Sequence, residues 1–158
     1  MKPVRIFCHV VCKGLGYLGT FLDRHNIPFE VICIDECITV PKDLETISGL
    51  IFMGGSMNVT DPLQWLHEEK ELIRMAVDKN MPVMGICLGG QLMSAALGGK
   101  ITHESDMEIG WYAVEPVIEN ESNEWLKELP EELIPFHWHA DTFSIPEGAA
   151  ALLHSKCG

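Results

Sequence analysis

Basic residues are scarce in this chain: Lys and Arg number 11 against 23 Asp and Glu, which gives a formal net charge of -12. This balance opposes binding to phosphate backbones and to anionic membrane surfaces. No apolar run approaches the ~20 residues of a membrane-spanning helix, and the N-terminal stretch MKPVRIFCHV lacks a signal cleavage site. The sequence therefore predicts a cytoplasmic protein with no nucleic-acid partner and no membrane partner.

The 158 residues, 47% of them hydrophobic, can bury one core of ordinary size, so we expect a single domain over residues 1–158. The six cysteines lie in apolar, strand-like runs of a chain without an export signal, which favours reduced thiols over a disulfide framework. Cys8 and Cys12, like Cys33 and Cys37, are spaced CxxxC, looser than the CxxC pairs of zinc sites. We predict no metal site and no cofactor.

Short β-rich runs alternate with helical patterns in the first half of the chain. The strand candidates are almost continuously apolar, which is typical of a buried parallel sheet: VRIFCHV (4–10), FEVICI (29–34), GLIFMG (49–54) and PVMGI (82–86). With right-handed crossovers this rhythm predicts a flavodoxin-like α/β fold, a doubly wound, mostly parallel sheet with helices on both faces. Ligands of such sheets bind at the carboxyl ends of the strands.

Helices are predicted between and after these strands. In the first, apolar residues recur at helical spacing until Asn26-Ile27-Pro28: Leu15, Leu18, Phe21 and Leu22. In the second, Asp61 can cap the N-terminus and Pro62 suits the first turn. Its apolar residues should face the sheet: Leu66, Leu72, Ile73 and Ala76. Its charged residues should face water: Glu68, Glu69 and Lys70. A third helix should run from Leu88 to Leu97, and a small one near residues 124–129.

The stretch GICLGGQ (85–91) ends a strand and turns straight into a helix. It places Cys87 at the helix N-terminus, where unpaired N–H groups and the helix dipole favour a thiolate. Gly85, Gly89 and Gly90 let the backbone turn sharply, as in the elbow that exposes a hydrolase nucleophile. A buried structural thiol is the alternative, but such a thiol does not need this turn. We therefore interpret Cys87 as a nucleophile.

Further groups are expected beside this cysteine. Gln91 lies four residues later, one helical turn along the same face, where its amide could orient an amide substrate. Gly54 and Gly55 end another strand at the same sheet edge. Their N–H groups, with that of Leu88, could form an oxyanion hole for acyl transfer. For the two glycines, a simple tight turn is an equal alternative.

Three stretches carry a resemblance to a known family: MGGSMN (53–58), GICLGGQ (85–91) and FHWHADTFSIPEGA (136–149). They resemble the class I glutamine amidotransferase domain, especially stand-alone proteins similar to the amidotransferase part of GMP synthetase. The resemblance implies that Cys87 attacks the glutamine side-chain amide, releases ammonia and forms a glutamyl thioester that water cleaves. It also implies backbone oxyanion donors at Gly55 and Leu88, and a place for Gln91 in the glutamine pocket. Glu108-Ile109-Gly110-Trp111 resembles a further family element, to which we assign no chemical role.

Such chemistry needs a histidine base oriented by a carboxylate, which the resembling family carries as His-x-Glu on a late strand. The only His-x-Glu here, His67-Glu68-Glu69, lies on an exposed helix where residues two apart do not share a face, so it is rejected. We therefore expect a domain truncated at its C-terminal end, with the activity of this chain left open. His9, His137 and His139 are candidate substitutes near the site. The alternative is a structural role: for His139 a hydrogen bond to a nearby backbone carbonyl or to Asp141, and for His9 a polar contact at the strand end.

A rival motif lies near the N-terminus. Gly14-Leu15-Gly16-Tyr17-Leu18-Gly19 spells GxGxxG after the first strand, and Asp35 falls where a ribose-binding acid would lie. Against a dinucleotide site, Val11-Cys12-Lys13 separate the strand from the first glycine, whereas that turn normally begins tightly at the strand end. A mobile loop is the simpler interpretation.

The sequence thus predicts a glutaminase-type cysteine hydrolase acting on glutamine or a γ-glutamyl compound, with a synthetase as candidate partner for the ammonia. Two alternatives stay open. A γ-glutamyl peptidase or hydrolase would use the same thioester on another leaving group. A non-catalytic binding or regulatory domain would have kept the scaffold and lost the base.

Overall fold

The computed structural model describes residues 1–10, 15–34, 39–117, 124–130 and 132–155. For residues 104–106 it describes the backbone only. The chain forms two compact units, Met1–Leu97 and Gly98–Gly158, and each is described by itself. A single domain over residues 1–158 stays a prediction. Within the described ranges, every helix is too short or too polar to cross a bilayer.

In its described residues, the N-terminal unit contains a four-stranded parallel sheet and three helices. Its elements in chain order are β1 (Val4–Cys8), α1 (Tyr17–Arg24), β2 (Phe29–Cys33), β3 (Gly49–Phe52), α2 (Gln64–Asp78), β4 (Val83–Gly85) and α3 (Leu88–Ala96). All three strand pairings are parallel, in the order β2-β1-β3-β4, which is the order of flavodoxin-like sheets. The predicted α/β fold, with a mostly parallel sheet and helices on both faces, is confirmed.

Strand β1 shows why these strands are almost continuously apolar. Ile6 and Cys8 point to one face, where they pack with Leu22 of α1 and with Ile51 of β3. Phe7 points to the other face and stacks on Phe52 of β3, with ring centroids 5.0 Å apart. Because both faces are covered, the side chains from Arg5 to Cys8 are all buried, and the strand does not alternate between buried and exposed residues.

The second helix departs from its prediction in two respects. It begins at Gln64, after Leu63 in the cap position, and has no side-chain cap. Asp61 instead accepts a hydrogen bond from the backbone N–H of Asn58 at 2.9 Å, closing the turn before the helix. Glu69, expected to face water, is fully buried.

The C-terminal unit is built from antiparallel pairs. A long strand, β5 (Ile101–Trp111), pairs with β7 (Phe136–Phe143), and a short one, β6 (Glu115–Pro116), pairs with β8 (Leu153–His154). The small helix predicted near residues 124–129 is a single 3₁₀ turn, Glu124–Leu126. The register of β5 against β7 shifts between His103 and Glu108, as at a β-bulge, and this shift decides which side chains face each other.

The glycine-rich motif near the N-terminus is described only in part. Gly16, with φ of 58°, precedes α1 and Gly19 lies within it. Gly14 and Asp35, which the dinucleotide interpretation requires, lie outside the described residues.

Candidate active site

Cys87 occupies a sharp turn between β4 and α3. Its backbone has φ of 54° and ψ of -112°, and its side chain is exposed. A non-glycine residue at such a positive φ typically costs about 1–3 kcal/mol and persists only where the surroundings enforce it. Here the flanking backbone is fixed: Ile86 N–H donates to the carbonyl of Phe52 at 2.9 Å, and Gly89 N–H donates to that of Ile86 at 3.0 Å.

Two glycines allow the helix to start against the sheet. A Cβ atom added at Gly89 would lie 2.0 Å from the carbonyl oxygen of Phe52, and one added at Gly85 would lie 2.4 Å from the carbonyl carbon of Gly89. No side chain fits at such separations. These glycines therefore let α3 approach β3 and β4 closely enough to place Cys87 at the strand edge.

The turn after β3 lies directly beside this elbow. A Cβ atom added at Gly54 would lie 3.4 Å from Cβ of Cys87 and 3.9 Å from its Sγ, and one added at Gly55 would lie 2.8 Å from Cδ2 of Leu88. The fold therefore brings Gly54, Gly55, Cys87 and Leu88 together, although they come from two segments of the chain. That their N–H groups serve as oxyanion donors stays a prediction.

Gln91 lies in the first turn of α3, and its backbone N–H donates to the carbonyl of Cys87 at 3.1 Å. Its side chain is largely buried, with the residue 6% exposed. The predicted contact of its amide with a substrate stays a prediction.

His9 lies behind the glycine turn in a fully buried position. Its Nδ1 is 3.0 Å from the carbonyl oxygen of Met53, the residue before Gly54, and its Nε2 is 2.9 Å from Oε2 of Glu69 on α2. The ring stacks on Trp65, with centroids 5.1 Å apart. Because both nitrogens are engaged and the ring is buried, this geometry argues against His9 as a base for Cys87.

The hydrogen bonds of His9 define where its protons lie. A carbonyl oxygen only accepts, so Nδ1 carries a proton and donates it to Met53. The contact between Nε2 and Glu69 is then a hydrogen bond only if a second proton lies on one of those two groups. Burial raises the pKa of the Glu69 carboxyl, and the hydrogen bond from His9 partly opposes this shift. In the folded state the Glu69 carboxyl therefore keeps its proton to a higher pH than a solvated carboxyl does.

The candidate histidines of the C-terminal unit meet one carboxylate. His137 Nδ1 lies 3.2 Å from Glu108 Oε2, and His139 Nε2 lies 2.8 Å from the same oxygen. Asp141 pairs with Nδ1 of His103 at 2.6 Å. The sequence analysis did not predict the contact of Glu108 with these histidines, because it depends on the register shift between β5 and β7.

The chain is similar to known proteins over most of its length. The sequence model of one protein family, glutamine amidotransferase class-I, matches residues 11–157 of this chain. The chain is 31% identical over 152 residues to one of the subunits of the glutamine-hydrolyzing GMP synthase of Methanocaldococcus jannaschii, covering 94% of this chain and 70% of that protein. It is 29% identical over 119 residues to γ-glutamyl peptidase 4 of Arabidopsis thaliana, covering 73% of this chain and 47% of that protein.

A solved structure agrees closely with the fold. The crystal structure of a glutamine amidotransferase from Methylobacillus flagellatus superposes with a TM-score of 0.91 and 42% identity. The alignment covers 99% of this chain and 62% of that one. The chain thus spans only part of each of these three relatives.

Proposed function

Because this chain belongs to the class I glutamine amidotransferase family, we propose that it hydrolyses the side-chain amide of glutamine through a thioester on Cys87. The observation that carries the proposal is the elbow itself. An exposed thiol is held at a strained backbone angle, at the first turn of α3 and against Gly54. A structural cysteine gains nothing from such strain, whereas a nucleophile gains access and a fixed direction of attack.

In the proposed reaction, Sγ of Cys87 bonds to the amide carbon of glutamine, and the amide oxygen takes up the negative charge. The N–H groups of Gly55 and Leu88 stabilise that charge, and Gln91 helps to orient the substrate. The carbon–nitrogen bond then breaks, and the nitrogen leaves as ammonia after accepting a proton. Water next attacks the thioester carbonyl, which releases glutamate and returns the thiol.

We propose that the base of this reaction is a histidine oriented by a glutamate. Both residues would come from a segment equivalent to the family's late His-x-Glu strand. The lengths of the relatives support a segment of this kind, since this chain spans only 70% of the archaeal protein and 62% of the bacterial one. His137 and His139 stay candidates for a place near the site.

The test measures ammonia and glutamate released from glutamine, using both this chain and a version extended to the length of its relatives. We expect the extended chain to release both products in equal amounts. Cys87→Ser should abolish the release, whereas Cys33→Ser, which changes another exposed cysteine, should preserve it. If the extended chain released no product from glutamine or any γ-glutamyl compound, the hydrolase proposal would be wrong.

A γ-glutamyl peptidase is the second candidate, because γ-glutamyl peptidase 4 of Arabidopsis matches 73% of this chain. The same thioester would form, but an amino acid or peptide would leave in place of ammonia. Parallel assays of kcat/KM with glutamine and with γ-glutamyl dipeptides separate the two candidates. Preference for glutamine supports the amidotransferase, and preference for a dipeptide supports the peptidase.

A non-catalytic binding domain is the candidate from another class. It would bind a glutamine-like ligand without turnover, so ligand binding by calorimetry with no product from the extended chain would favour it.

A synthetase that consumes the ammonia is the proposed partner, because the archaeal relative is one subunit of a glutamine-hydrolyzing GMP synthase. We expect this chain to co-purify with a synthetase chain and to hydrolyse glutamine faster in its presence. Equal hydrolysis with and without the synthetase would contradict this part of the proposal.

We also propose a cytoplasmic location, on the composition of the chain. Cell fractionation tests this location.

A further inference from the structure

We propose that Glu108, His137 and His139 form a binding site for a divalent transition-metal ion such as Zn²⁺. Each residue offers one ligand atom, and these three atoms all lie within 4.8 Å of one another. Two imidazole nitrogens and one carboxylate oxygen form a ligand set that zinc binds in proteins. The cluster lies wholly within the C-terminal unit, so the inference does not depend on the proposed function.

The β5–β7 pair builds this cluster through the period of its strands. His137 and His139 lie two residues apart on β7 and so share one face of the sheet. Glu108 on β5 is directly opposite His139 in the register, and Gly110 is opposite His137. Since Gly110 has no side chain, the Glu108 carboxylate can reach both rings. Tyr112 packs edge-on against His137, with centroids 5.4 Å apart, and supports that ring.

Two of the three distances between ligand atoms suit a tetrahedral ion after a small adjustment, and the third lies within 4.8 Å. Zinc–nitrogen and zinc–oxygen bonds of ~2.0–2.2 Å place neighbouring ligand atoms about 3.3–3.5 Å apart. Glu108 Oε2 lies 2.8 Å and 3.2 Å from the two histidine nitrogens. These two distances are a few tenths of an ångström shorter than those in a zinc site, as expected when hydrogen bonds hold the atoms together. An ion bound between the ligand atoms would move them apart.

The environment also favours an ion over a solvated ion pair. The side chains of Glu108, His137 and His139 are 11%, 14% and 27% exposed, so they are mostly removed from water. For Glu108 Oε2 to accept from both rings, each facing nitrogen must carry a proton. A bound cation replaces these protons and interacts with the carboxylate at the same place. The nitrogen ligands favour zinc and its neighbours over Mg²⁺ and Ca²⁺, which prefer oxygen.

The experiment titrates Zn²⁺ alone into the whole chain by calorimetry, with a chelator as competitor, in a background with both Cys33→Ser and Cys87→Ser, which removes two exposed thiols. We expect one equivalent to bind and the Tm to rise. Glu108→Gln keeps the shape and a hydrogen-bond acceptor, and His139→Ala removes one ligand. Each should weaken binding at least about tenfold, since even changes outside the ligand set commonly cost that much.

His103→Ala is the matched control, because this histidine lies on the same strand pair but bonds to Asp141 instead. It should leave zinc affinity unchanged. Circular dichroism of Glu108→Gln checks that weaker binding does not reflect unfolding. Co²⁺ spectra identify the ligands: d–d bands without a thiolate charge-transfer band support the site. Equal affinity in the parent, Glu108→Gln and His139→Ala proteins, or a thiolate band in all three, would overturn the proposal.

Discussion

Nε2 of His9 lies 2.9 Å from Oε2 of Glu69, with both side chains fully buried. The contact joins the end of β1 to the middle of α2, and the other nitrogen of the ring holds the carbonyl of Met53, immediately before the Gly54-Gly55 turn. The contact between His9 and Glu69 therefore supports the segment that lies against the elbow of Cys87.

Replacing Glu69 should separate its hydrogen bond from its charge. Glu69→Gln can donate an amide N–H to Nε2 of His9, so we expect stability close to that of the parent chain. Glu69→Leu leaves Nε2 without its partner in an apolar site, which typically costs about 1–3 kcal/mol. Urea unfolding at pH 7 measures both, and equal losses in the two variants would contradict the hydrogen bond.

The same pair predicts how stability depends on pH. Burial raises the pKa of the Glu69 carboxyl above its ordinary value of 4.5 in the folded state. Folding therefore takes up a proton, and the contribution of Glu69 is complete below 4.5 and is lost as pH rises through the folded pKa. The stability of the parent chain relative to Glu69→Gln should fall across that window. A relative stability that rises with pH would show that the pKa is lowered instead.

A methyl group at Gly89 should disrupt the elbow. Its Cβ would lie 2.0 Å from the carbonyl oxygen of Phe52, so we expect Gly89→Ala to destabilise the fold by at least about 3 kcal/mol, the upper end of common overpacking costs. Gly54→Ala is the control, since its Cβ would make an ordinary contact at 3.4 Å with Cys87. Urea unfolding should show a much smaller loss for Gly54→Ala. Similar losses would mean that α3 can shift away from β3.

Glycine at position 87 should relieve backbone strain. Alanine and glycine both remove the sulfur, but only glycine adopts a φ of 54° with ψ of -112° without steric cost. We expect Cys87→Gly to be more stable than Cys87→Ala by about 1 kcal/mol, after subtracting the greater backbone entropy that glycine loses on folding. Chemical denaturation of the two variants measures this difference. The opposite order would mean that the elbow is not strained.

The sequence predicted the parallel sheet well because both faces of its central strands, β1 and β3, are buried. Strands β1 to β4 fall within the predicted runs, each within two residues of the predicted ends. The burial of Glu69 was not predicted, although its position in the sequence indicates it. It lies three residues from both Leu66 and Leu72, on the apolar face of α2, so the periodicity should have outweighed its charge.

The cluster around Glu108 could not be predicted in the same way. Glu108 and His137 lie 29 residues apart, and they meet only because the register of β5 shifts between His103 and Glu108. A slip of one residue would turn Glu108 to the other face of the sheet. The bulge has no signature in the sequence, so only the folded register brings this carboxylate to the two histidines.

The most direct test of the central claim compares the alkylation of Cys87 with that of Cys33, an exposed cysteine at the end of β2. A glutamine-like electrophile is added to the chain, and mass spectrometry follows each adduct over time with and without glutamine. We predict that Cys87 reacts at least about tenfold faster than Cys33, because the elbow holds its exposed sulfur in one orientation beside the Gly54 turn, where a glutamine-like reagent would bind, and that glutamine slows this reaction alone. Equal rates at the two cysteines, with no protection by glutamine, would contradict the assignment of Cys87 as the nucleophile.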